Sequence, residues 1–313
     1  MKPLGLAFLF IALVSGAELL TPRVVLGQLS DPDQVFSSSV PLPVDEPFAE
    51  AIDGTLGPDA TAWEGDYIDL PRVGGPTIDI EYGSRRPLID GIGWVVGIPR
   101  KLLLWDSRAD NHQVSSETTQ DISAYLADRQ LSDVKVRVNQ YAPIEEWKRL
   151  VANKRVGAGW RYTIGLLKQV EYTLLPGRIF GGDEYNPYTN SLYVYSDVPA
   201  LGLAESAYAK DVHQRDYPGT YATAQTLPII AMWHETLATQ EVLQYVAIRG
   251  EPDEIASTRR ILYARYGMEL GGELDSVVSP SGVRIGGLYQ VIGAVGGHVA
   301  AGVENVRETS IRR

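Results

Sequence analysis

Three prolines, Pro199, Pro228 and Pro252, each stand at the head of a long segment free of further proline. Proline is favoured in the first helical turn because its missing N–H would be unpaired there anyway. The spacing predicts a helix from Pro199 to about His213 with Asp197 ahead of it, a second from Pro228 to Arg249, and a third after Pro252 through "IASTRRILYARYG". Upstream the pattern differs. "VKVRVNQY", Val134–Tyr141, sets valine against polar residues with the period of a half-buried strand, and "GWRYTIG" (Gly159–Gly165) and "SLYVYS" (Ser191–Ser196) read as further strands. Glu117–Arg129 has helical spacing, and Pro143 opens a short helix through Trp147 and Leu150. "GIGWVVGIPRKLLLWD", Gly91–Asp106, is broken by Pro99 into two short elements expected to be buried, and "DYPGTY" reads as a turn. Strands followed by helices, with no internal repeat, predict an α+β domain beginning near Ile78 or Pro87.

What precedes that point has a different composition. Met1-Lys2-Pro3 leads into the apolar run Leu4–Ala17, with Ser15 and Ala17 placed for cleavage, so residues 1–27 are expected to be a secretory signal peptide or N-terminal anchor. Gln28–Trp63 holds seven acidic residues and no Lys or Arg, and 28–77 is read as an acidic, largely disordered linker. The expected organisation continues with a folded domain over 78–250 and a helical extension over 251–313. The net charge of −11, without a basic cluster, argues against a nucleic-acid partner. The absence of cysteine removes thiol catalysis, cysteine-held metals and disulfides. An exported chain of this kind fits a periplasmic or cell-envelope location.

The candidate chemistry lies in "LGLAESAYAKD", Leu201–Asp211. A zinc-peptidase helix carries histidines at i and i+4, on one face of the helix, with a glutamate at i+1 to act as base on the metal-bound water. Here the order is Ala204-Glu205-Ser206-Ala207-Tyr208: the glutamate is present and both imidazoles are not. Alanine has no ligand atom, and a tyrosine ligates well only as a phenolate, well below its ordinary pKa of about 10.

Around this helix stand "YNPYTN", "YSDVPA", "AKD", "GTYA" and "WHE" (Trp233–Glu235). With these motifs the chain, from about Gly93 to Tyr245, resembles a group of exported bacterial zincin-like, gluzincin-related metallopeptidases. The resemblance implies a zincin-like α+β fold, a small mixed sheet followed by a helical half. It also implies that Ala204 and Tyr208 occupy the metal-histidine positions, Glu205 the general-base position and Glu235 the third-ligand position. With both histidines replaced, it implies a non-catalytic pseudo-peptidase that keeps its cleft for an unknown protein or peptide partner, with no zinc cofactor.

Two alternatives accompany that reading. Asp211, His234 and Glu235, with Glu205, would form a rebuilt metal site for a hydrolase. The plainer account is that Glu205 and Glu235 keep ion-pair partners, such as Lys210 or a buried arginine, and hold two helices in register. The other alternative is an envelope scaffold assembled through "IGGLYQVIGAVGGHVAAGV", Ile285–Val303, nineteen residues without Asp, Glu, Lys or Arg. Gly286, Gly293, Gly297 and Ala301 lie towards one side and permit close approach between helices. That segment is expected to pack within the domain or a homo-oligomer, or to associate with a membrane.

Overall fold

The computed structural model describes residues 77–278 and 287–311. The expected signal peptide and nearly all of the expected linker lie outside them. The described chain is mixed α+β, mostly helical, with one four-stranded sheet.

In chain order the elements are β1 (Asp79–Tyr82), α1 (Pro87–Val96), α2 (Ile98–Leu104), α3 (Ser116–Asp128), β2 (Lys135–Val138), α4 (Pro143–Ala152), α5 (Ala158–Arg161), α6 (Ile164–Leu174) and α7 (Gly177–Phe180). They continue with β3 (Glu184–Asn186), β4 (Ser191–Val194), α8 (Pro199–His213), α9 (Pro218–Ala224), α10 (Pro228–Arg249), α11 (Pro252–Val278) and α12 (Leu288–Ile311). The sheet order is β1-β2-β4-β3, with β1, β2 and β4 parallel and β3 antiparallel to β4 at the edge. Helices therefore intervene between the parallel strands, where the sequence pattern suggested strands first and helices after.

The three proline-headed helices begin at Pro199, Pro228 and Pro252. α8 is apolar around most of its circumference because it is packed on two sides. Towards the sheet, Tyr208, Ala209 and Val212 join Ile122, Leu126, Val136 and Leu192. On its other side, Leu201, Ala204 and Ala207 pack with Val242, Val246, Ile261 and Leu262 of α10 and α11. Gly202 lets α3 come close: a Cβ there would press into the side chain of Ile122. The boundary expected after residue 250 does not separate two bodies, since α11 contributes Ile261, Leu262 and Ala264 to the same core as α8.

Four local expectations change. β2 is buried on both faces, not one, because it lies between β1 and β4. Its cations are neutralised within the fold, Lys135 by Asp79 at 2.7 Å and Glu81 at 2.9 Å, and Arg137 by Glu146 at 2.6 Å. Gly159–Gly165 is not a strand: it enters α5 and α6, held there by Arg161, whose Nη1 donates to the carbonyls of Val151 at 2.7 Å and Asn153 at 2.5 Å at the end of α4. Pro218 in "DYPGTY" opens α9 by the same first-turn logic as the longer helices. α1 and α2 are the two pieces expected around Pro99, yet Leu88, Ile92, Val95, Leu102 and Trp105 are exposed.

No helix among the described residues is long and apolar enough to cross a membrane. α12 instead lies antiparallel along α11. A Cβ on Gly293 would collide with the backbone of Gly267, and one on Gly297 with the carbonyl of Tyr263. The small side of the C-terminal segment thus meets a second glycine-bearing helix of the same chain.

Candidate functional site

Glu205 projects from the middle of α8 beneath the edge strand β3. Its Oε2 accepts the backbone N–H of Tyr185 at 2.9 Å, and its Oε1 accepts from Nη2 of Arg265 at 2.7 Å. The same Nη2 donates to Oε1 of Glu235 on α10 at 2.8 Å, while Nε of Arg265 donates to Glu269 at 3.0 Å. One guanidinium from α11 therefore joins the general-base position and the third-ligand position that the zincin resemblance implied. Lys210, the other cation considered, pairs with Glu241 at 2.6 Å.

The charge balance of this group sets its protonation. Burial opposes the charge on Arg265, but Glu235, Glu205 and Glu269 outweigh it and raise the guanidinium's pKa well above its ordinary value. Burial also raises the Glu205 carboxyl, against the pull of Arg265 and the Tyr185 amide. Glu235 is pushed up to about 8, first by burial, with Glu269 and Glu205 adding to it against Arg265. Three carboxylates around one cation leave excess negative charge in a poorly solvated place, and a proton held on Glu235 relieves it.

Tyr208, which the resemblance put at the second metal-histidine position, keeps its hydroxyl buried without a protein partner, and burial raises its pKa well above normal. Its ring stands edge-on to Tyr185 and His234, with centroids at 5.6 Å in both cases. Ala204 faces the other way, into the core shared by α8, α10 and α11. Glu205, Tyr208, Glu235 and Arg265 line one cavity of about 300 Å³, closed on the sheet side by Glu184, Tyr185 and Tyr188. Lys168, Gln225 and Thr226 add polar groups to its wall.

The rebuilt metal cluster is not assembled. Asp211 is committed to Arg215, just past the end of α8, at 2.7 Å. His234 is buried in an aromatic cage, 4.1 Å from the Tyr221 ring centroid, with neither ring nitrogen bonded to protein. Burial, aided by Arg215, lowers its pKa to about 4. Among the described residues no three histidine or carboxylate side chains are gathered for a metal ion. The donor set around Glu205 does not fit zinc, since a guanidinium lies between the two carboxylates that would face it.

Sequence reasoning singled out Glu205, Tyr208 and Glu235, which the fold brings to one cavity. It included a buried arginine only as a class. Arg265 stands beside Arg259 and Arg260 in one helix with no local feature that ranks it above them; its neighbour Glu269, at i+4, is the sole hint. Comparison of the chain with protein-family models, curated proteins and solved structures gives no match.

Proposed function

We propose that this chain is a non-catalytic, zincin-like binding protein, in which a buried guanidinium takes the role of a metal ion in tying the helices together. The observation that carries the reading is the single Nη2 of Arg265 shared by Glu205 and Glu235 at 2.7 and 2.8 Å. Arg265 bridges the pair with a permanent cation, where zinc would be exchangeable. The cavity beside edge strand β3 is retained, with tyrosine, lysine and carboxylate groups on its wall. A segment of another protein, seated in that cavity against its polar wall, is the class of ligand the site favours. The apolar run Leu4–Ala17 supports an exported location for this activity.

Elemental analysis of the purified full chain, with calorimetric zinc titration, tests the proposal. The expected result is no tightly held metal and no saturable zinc binding. Near-stoichiometric zinc, or a peptidase activity abolished by chelator and by Glu205→Gln, overturns it.

A further inference from the structure

α12 is patterned inside out. The side packed on α11 carries Gly293, Ala294, Gly297 and Ala301, whereas its bulky apolar side chains face away from the domain. Leu288, Ile292, Val295, Val299 and Val306 are between 44% and 67% exposed, and no described residue covers them. A helix that belongs to one soluble domain normally places its large residues inward. Here the small residues serve the contact within the chain, and the large ones are left for another contact.

The spacing identifies the kind of surface that fits. Leu288, Ile292, Val295, Val299, Gly302 and Val306 follow one another at intervals of four, three, four, three and four residues. This is the spacing of a coil seam, with β-branched Ile292, Val299 and Val306 in one set of layers, where such residues favour two parallel strands, and Leu288, Val295 and Gly302 in the alternate set. Val291 and Val303 widen the stripe, and His298 is drawn aside to stack on Trp105 of the α2 terminus, with ring centroids at 3.9 Å. That stack carries the apolar surface onto exposed Trp105 and Leu102. No Asp, Glu, Lys or Arg stands between Leu288 and Val303, so two copies of the stripe meet without like charges despite a net charge of −11 per chain.

We infer that two copies of this chain pair in parallel through α12, about a two-fold axis running along Ile292, Val299 and Val306. A second copy supplies the matching periodicity, the matching neutrality and the isologous geometry at once. A lipid surface would use the apolar area and gain nothing from the repeat.

The absence of cysteine makes the test direct, because a single introduced thiol is the only one in the chain. Full-length Val299→Cys is oxidised mildly and compared with Ile144→Cys, placed at an exposed site on α4. Val299→Cys is expected to form a disulfide-linked dimer at dilutions where Ile144→Cys stays monomeric. In sedimentation, Ile292→Glu is expected to weaken self-association by at least about tenfold, since symmetry sets two carboxylates face to face. Equal cross-linking at both sites, or a monomer at high concentration, overturns the inference. So does a monomeric chain that binds phosphatidylcholine–phosphatidylglycerol vesicles and loses that binding with Ile292→Glu, which would assign the stripe to lipid. Val299→Cys barely alters the stripe, so the question stands even where the glutamate variant fails to fold.

Discussion

At the scale of the residue, Arg265 is an uncommon way to spend a buried charge. Its side chain and that of Glu205 are each 8% exposed, so the pair forgoes hydration on both sides. Buried ion pairs often return little net stability, yet removing one partner strands the other at several kcal/mol. Glu205 has a second structural partner besides Arg265, since it also accepts the Tyr185 amide of the edge strand. The protonation of Glu235 makes the arrangement measurable. With its pKa raised from 4.5 to about 8, the native chain keeps a proton that the unfolded chain releases. Its contribution is complete below pH 4.5 and is lost as pH rises through 8, on the order of 3–5 kcal/mol at ~1.4 kcal/mol per unit. His234 acts in the opposite sense: lowered from 6.5 to about 4, it contributes above 6.5 and loses that contribution as pH falls. Urea unfolding across pH should therefore show Glu235→Gln, a neutral acceptor for Arg265, flattening the alkaline decline while the acid decline remains. An unchanged alkaline limb would mean that Glu235 is ionised in the native chain.

At the scale of the element, what was legible depended on whether the determinant was local. α8 and α10 run between the residues read from the sequence, because a proline at the start and a polar last turn belong to the segment itself. The identity of Gly159–Gly165 was not legible, since its helical turns depend on Arg161 capping α4 and on Trp160 donating to Thr220, sixty residues away at 3.0 Å. The burial of β2 was hidden for a like reason: alternation describes a strand, not how many neighbours cover it. The C-terminal glycines were legible as a close-packing face, but their partner glycines on α11 were not. The crossing distinguishes glycines in adjacent turns of α12. Gly293→Ala must push the helices apart, because its Cβ meets the Gly267 backbone, and should cost about 1–3 kcal/mol. Gly296→Ala meets nothing within 4 Å and should gain about 0.5–1 kcal/mol from helix propensity. Thermal unfolding of the two variants checks the sign of each, and equal effects would contradict the crossing.

At the scale of the whole molecule, the reading of 251–313 as an extension fails where the chemistry needs α11. Ile261, Leu262 and Ala264 fill the core beside α8, and from the same helix Arg265 reaches the two carboxylates. A chain ending at Gly250 keeps every motif that carried the zincin resemblance and yet lacks the cation between Glu205 and Glu235. It would leave two buried carboxylates facing each other and expose one side of α8, so it is expected not to fold cooperatively. A chain ending at Val278 retains Arg265 and, among the described elements, loses only α12, which contributes Ala294 and Ala301 as its fully covered apolar groups. Its loss uncovers the glycine face of α11 without opening the site. That shorter chain is expected to unfold cooperatively at a lower Tm, with the Tyr185–Tyr208–His234 packing intact by near-ultraviolet dichroism, and to be monomeric. The two truncations thus separate what the C-terminal helices do for the fold from what they do for assembly: α11 is expected to be needed for the site, and α12 for the proposed contact between copies. A folded chain ending at Gly250 would break that division, since Glu205 and Glu235 would then need no cation from α11.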